Sequence, residues 1–218
     1  MAEQGENRLP IFELPMVILP GELLPLHIFE ERYKRMIGWC LDSEQPFGIV
    51  FRDEDGSARR VGCTARVTEV LERFDDGRLN VVVSGEQPFR VLERWEENEY
   101  PAGEIAPITA EEAEELEADP DEVERAEQSA ATREAFADLV RRVSGSDADP
   151  DEAEDGSAYA IAARVELPAE TKQALLELRS ETKRMRVLGD ALRDLMDALR
   201  RSREIAERAK LNGKLVIG

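Results

Sequence analysis

The sequence predicts an α+β fold: a β-barrel with one plugging helix, followed by an α-helical bundle that contains a long C-terminal helix. Three observations carry that prediction. Apolar runs divided by turn residues fill the first 108 residues, an acidic change of composition follows Pro107, and from Ala169 onward the chain has helical periodicity and no proline.

The strands come first. "RLPIFEL" and "MVILP" are short and apolar, "FGIVFR" is β-branched and aromatic, and "VGCTARVTEVLERFDDGRLNVVVSGEQPFRVLERW" is a run of strands cut by turn residues. Asp75, Asp76 and Gly77 lie between two apolar stretches, and Gly77 accepts positive φ, so this triplet marks a hairpin. Long strands joined by short turns favour closure, which removes exposed edges. The one interruption is a helix from about Glu30 to Leu41. Phe29, Tyr33, Met36, Ile37 and Cys40 recur there at three- and four-residue spacing, a face suited to plugging one barrel end. Ahead of it, prolines 15, 20 and 25 cannot donate to a ladder, so "LPMVILPGELLPL" reads as an edge strand leading into a shaped loop around Gly21.

The helical part begins after this. Residues 111–155 hold 18 acidic and 4 basic residues. Asp119 and Pro120 form an N-cap and first-turn pair for a helix reaching Val143 and ending near Gly145. "SGSDADPDEAEDGS" is an acidic loop, and a short helix over 157–165 has Tyr159 and Ile161 as its bulky anchors. A helix of about 40 residues, roughly 60 Å long, is predicted over 169–211. Leu178, Met185, Leu192 and Leu199 fall seven apart along it, with Leu188 and Leu195 offset by three. The division is therefore 1–108 for the barrel and 109–218 for the helical subdomain, with the acidic loop at 144–157.

Charge and composition exclude several functions. A formal net charge of −19 repels phosphate backbones and anionic bilayers, so neither nucleic acid nor membrane is an expected partner. No apolar segment approaches the roughly 20 residues of a bilayer span and no leader pattern opens the chain, which predicts a cytoplasmic protein. Cys40 and Cys63 lack metal or disulfide spacing and read as small buried hydrophobes. His27 is the only histidine, which excludes a histidine metal cluster, and it reads as a hydrogen-bonded structural residue. The pairs Asp53/Asp55 and Asp75/Asp76 lie in turns, where aspartate caps backbone amides. No glycine-rich phosphate loop occurs. No catalytic residue, metal or cofactor is expected.

In order and spacing, "LPIFELPMVILPGELLPLHIFEERYKRMI", then "FGIV", then "VGCTARVTEVLERFDDGRLNVVVSGEQPFRVLE" and a closing "YPAGEIAPI" resemble the N-terminal domain of Lon ATP-dependent proteases. "LPAETKQALLELRSETKRMRVL" is similar to the helix entry of that domain's second half. The likeness spans about residues 8–108 and 165–200, while 109–156 matches only in being helical. It implies a PUA-like β-barrel plus a helical bundle, acting as a free-standing, non-enzymatic substrate-binding domain. The ATPase module and the Ser-Lys peptidase that follow this domain in a full protease have no counterpart before Gly218, so proteolysis is not implied. The implied partners are unfolded, partly folded or degron-bearing polypeptides, captured alone or for a separate protease.

The proline-rich segment then becomes a candidate binding rim of Leu19, Pro20, Gly21, Leu23, Leu24, Pro25 and Leu26 together with Phe89. A place in the core is the competing reading for each. The alternative function is an RNA-binding PUA-like protein, which the negative charge and the lack of a basic-aromatic strip disfavour. A small-molecule sensor lacks a polar constellation in the sequence.

Overall fold

The structure is a computed structural model that describes residues 8–95, 100–109, 122–144 and 156–214. Its elements in order are β1 (Arg8–Leu14), β2 (Leu23–Ile28), α1 (Glu31–Ser43), β3 (Phe47–Arg52), β4 (Ala58–Arg73), β5 (Leu79–Trp95), β6 (Ala102–Pro107), α2 (Glu122–Ser144), α3 (Ala158–Ala162), α4 (Ala169–Glu177) and α5 (Glu181–Lys214).

Five strands close into a ring. The order β5-β4-β3-β1-β6 returns to β5, which pairs β6 over Phe89–Trp95. β1 and β3 run parallel, with Ile11 opposite Gly48 and Leu14 opposite Phe51, and the chain crosses between them through β2 and α1. β2 adds to β5 outside the ring, from Leu23 opposite Ser84 to Ile28 opposite Leu79. The β4–β5 hairpin turns at Asp75–Gly77 as expected, with Gly77 at φ +82° and its N–H on the Phe74 carbonyl at 2.9 Å.

Strand alternation explains why β1 and β3 are apolar in consecutive positions. Ile11 and Val50 join Leu9, Phe89 and Val91 in one small cluster, whereas their neighbours Phe12 and Ile49 enter a larger one. Both faces of these strands are covered, so both must be apolar. α1 seats Tyr33, Met36, Ile37 and Cys40 in the larger cluster, with the Phe12 and Tyr33 rings 4.1 Å apart. Phe29 departs from the expected helical face and is 61% exposed. The reason is local: Glu30 is the N-cap and has extended backbone, so helical spacing begins after Phe29.

The expected edge strand is also displaced. Residues 15–22 form a loop, and the proline-bearing edge strand is β2, which follows that loop.

In the helical half the predicted single helix over 169–211 is two helices. α4 ends at Leu178, which turns to extended backbone (ψ 134°), and Ser180 caps α5 by accepting from the Lys183 N–H at 3.4 Å. Arg184 donates through Nη1 to the Leu178 and Arg179 carbonyls that the break releases, at 2.8 and 3.1 Å. The long C-terminal helix therefore starts at Glu181. Its seam is buried at Met185, Leu188 and Leu192, half-buried at Leu195 and Leu199, and exposed over residues 200–206. α2 crosses closely there: the Thr132 hydroxyl donates to the Met185 carbonyl at 2.8 Å, and a Cβ at Gly189 would stand 2.8 Å from that hydroxyl oxygen. Asp119, Pro120 and most of the acidic loop lie outside the described residues.

One apolar cluster runs from the strands into the helices, uniting Val61 and Cys63 of β4 with Ile161, Leu175 and Leu188. Gln173 donates to the Val61 carbonyl at 3.1 Å across this junction. Among the described residues no helix is long and apolar enough to cross a membrane.

Candidate polypeptide-binding cleft

The loop over residues 15–22 is shaped by turn geometry and by two anchors. Pro20 fixes φ and Gly21 sits at φ +78°, a conformation that disfavours any side chain. The Gly21 N–H donates to the Gly85 carbonyl at 2.9 Å, and the Gly85 N–H returns to the Glu22 carbonyl at 3.0 Å, so the turn is stitched to β5 from both sides. Gly85 must be glycine, because a methyl there would overlap the Leu19 carbonyl. The Glu22 carboxylate accepts the Leu19 N–H at 3.0 Å and pairs with the Lys172 ammonium of α4. Both charged side chains are largely buried, so the loop is tied to the helical half by a strong contact.

Facing this loop stands α3. Ser157 caps it, accepting from the Ala160 N–H at 3.2 Å, and the Glu181 carboxylate of α5 accepts the Ala158 N–H at 2.6 Å. The Tyr159 hydroxyl donates to the Leu175 carbonyl at 3.1 Å, while the Arg184 guanidinium lies 4.6 Å from its ring centre. Between the two walls lies a cleft of about 680 Å³, with Pro20, Gly21 and Leu23 on one side and Tyr159, Ala160, Ala163 and Arg164 on the other. That volume falls in the usual range for ligand sites, and small residues on both walls leave room for a chain to enter.

A sequence model of the ATP-dependent protease La (LON) substrate-binding domain matches residues 8–194. The chain belongs to the Lon substrate-binding domain family. Two solved structures share its fold. The N-terminal domain of the Mycobacterium avium complex Lon protease is 20% identical, with a TM-score of 0.62, covering 86% of this chain and 98% of that one. A Lon N-terminal domain protein from Xanthomonas campestris is 22% identical, with a TM-score of 0.57, covering 82% and 94% respectively. The family gives this chain a substrate-binding role.

Within this Lon domain the eight sequence-predicted rim residues separate. Pro20, Gly21 and Leu23 line the cleft, and Leu23 is 63% exposed. Pro25 is exposed on β2 outside the cleft lining, and Leu24 is half-buried against the larger cluster. Leu19, Leu26 and Phe89 are core residues in this structure, at 0%, 9% and 0% exposure, so a rim role for them is corrected. The cause for Leu26 is strand alternation: Leu24, Leu26 and Ile28 share the covered face of β2, and Leu23, Pro25 and His27 the open one. Phe89 fills the ring beside Gly48 and Gly62, where Cβ atoms would meet its ring. Tyr159, Ala160, Ala163 and Arg164 were not expected as site residues, although the short helix over 157–165 that carries them, with Tyr159 as an anchor, was.

The remaining reactive groups are occupied structurally. Burial pushes the Cys40 and Cys63 thiols up to about 12, so neither is a thiolate near neutrality. His27 Nδ1 lies 2.6 Å from the Asn80 side-chain oxygen, with its ring between those of Phe29 and Phe74. Asp55 is held below the usual carboxylate range by hydrogen bonds from the Ser57 hydroxyl and N–H, and Asp76 by the Arg78 N–H. Among the described residues no group of three or more metal-ligating side chains is placed to hold an ion.

Proposed function

We propose that this Lon substrate-binding domain captures unfolded or degron-bearing polypeptides in the cytoplasm by admitting an apolar segment to the cleft between Pro20–Leu23 and Tyr159–Arg164, either alone or for a separate protease. The observation that carries the reading is the convergence of Pro20, Gly21 and Leu23 with Tyr159, Ala160 and Ala163, from two distant stretches, in one hollow of mixed apolar and polar lining. The pinned loop supports it further, because a rigid wall binds without an ordering cost. Pro25 argues for recognition by side chains over strand addition: a proline in the edge strand β2 leaves a gap in the donors that an added strand would need. The net charge of −19 weighs against RNA.

Fluorescence anisotropy with a labelled apolar peptide tests the reading. Binding is expected to persist as salt rises, since burial of apolar surface drives it, and the purified protein is expected to leave both ATP and casein intact. Binding that disappears at high salt, or that survives filling of the cleft by Ala160→Trp, contradicts it.

A further inference from the structure

A second hollow lies beside the first. A groove of about 570 Å³ runs between α2 and α5, lined by Phe136, Leu139, Val140, Val143, Val165 and Leu199. Val143 is 68% exposed at its lip. Arg164 lines this groove as well as the cleft, so the two hollows adjoin at one residue. Arg164 sits on the turn that closes α3, its N–H on the Ile161 carbonyl at 3.1 Å, and its side chain is exposed. Among the described residues no carboxylate pairs with its guanidinium, although neighbouring arginines such as Arg184 and Arg193 are paired.

We propose that the two hollows form one track for an extended polypeptide, and that Arg164 at their junction selects a segment with a carboxylate between two apolar stretches. The inference rests on the proposed cleft function and adds to it the chemistry of the ligand. Charge complementarity carries it: in a molecule of net charge −19, a guanidinium without a carboxylate partner among the described residues, shared by an apolar groove and a cleft of mixed lining, is a local site for an anion. Glu166, two residues farther on, lines the groove side and repels a second carboxylate there. The preferred acid position is therefore the junction and not the groove end of the ligand.

The test uses three labelled peptides of one apolar composition against the full chain: one with a central Asp, one with Asn in its place, and one with the Asp moved to the end. The central-Asp peptide is expected to bind about two- to fivefold tighter than the Asn peptide at low salt, the range of an exposed ion pair. Arg164→Gln should abolish that preference, so that the variant binds the central-Asp and Asn peptides alike. At about 1 M salt, where the screening length falls to about 3 Å, the preference should also fade. Equal affinity for all three peptides, or a preference that persists in Arg164→Gln, overturns the inference and leaves cleft binding standing. Absence of binding by every peptide overturns both. Melting curves for Arg164→Gln should match those of the parent, since the side chain is exposed.

Discussion

The two walls of the cleft are built in different ways. The loop wall is held largely by its own turn chemistry, a proline, a left-handed glycine and backbone bonds to β5, with one side-chain tie from Glu22 to Lys172. The α3 wall is five residues long, too short to be stable alone, and is held by groups from α4 and α5: the Leu175 carbonyl, the Glu181 carboxylate and the Arg184 guanidinium. A rigid wall thus faces one whose position depends on distant helices. Changes in the helical half should therefore alter binding through α3, whereas changes in the loop should act directly.

The largest expected effect comes from destroying the stitched turn. Gly85→Val drives a side chain into the Leu19 carbonyl and should cost about 4 kcal/mol or prevent folding, read as a lowered urea midpoint. Next is the tie between the walls' supports. Glu22→Ala strands the buried Lys172 ammonium and frees the Leu19 N–H, with an expected loss of about 3 kcal/mol in chemical denaturation. Glu181→Ala removes the acceptor at the start of α3 and the carboxylate partner of Arg184, so about 1 kcal/mol of stability should go together with a larger proportional loss of peptide affinity. Unchanged affinity in Glu181→Ala would mean that α3 does not depend on α5.

A smaller effect is expected at high pH. Burial pushes the Tyr159 hydroxyl up to about 12 from an ordinary 10, with Arg184 pulling weakly the other way. The unfolded chain releases that proton first, so stability should fall as pH rises from about 10 to about 12, and Cys40 and Cys63 act in the same direction from about 9. Tyr159→Phe should flatten part of that slope in melting temperature against pH. An unaltered slope would show that the phenol is not buried against α4.

The turn at Gly21 and the β4–β5 hairpin were legible in the sequence because their signals are local, whereas residues 15–19 read as a strand and form a loop. Proline spacing, Gly21 and the Asp-Asp-Gly hairpin each specify backbone geometry within a few residues. What was not legible was the side to which each leucine points. The register of β2 against β5 decides that Leu26 is covered and Leu23 is open, and "LLPLHI" carries apolar residues on both faces. The helix break at Leu178–Ser180 was missed for a related reason: Leu and Arg are good helix formers, and only the Ser180 cap and the carbonyl contacts of Arg184, which need the folded chain, favour the stop. The α3 wall was hidden because its residues reach Pro20 and Leu23 only through packing of separate elements.

If one face of β2 serves binding, as proposed, and the other the core, paired melting and peptide-binding curves for Leu23→Asp and Leu26→Asp will separate the two. Leu23→Asp should leave the melting temperature nearly unchanged and weaken apolar-peptide binding at least tenfold, since the carboxylate enters the cleft and not the core. Leu26→Asp buries an unpaired charge and should lose about 4 kcal/mol of stability, as should the helical control Leu192→Asp. A Leu23→Asp protein that melts as early as Leu26→Asp, or that melts normally and still binds the peptide with parental affinity, would contradict the account.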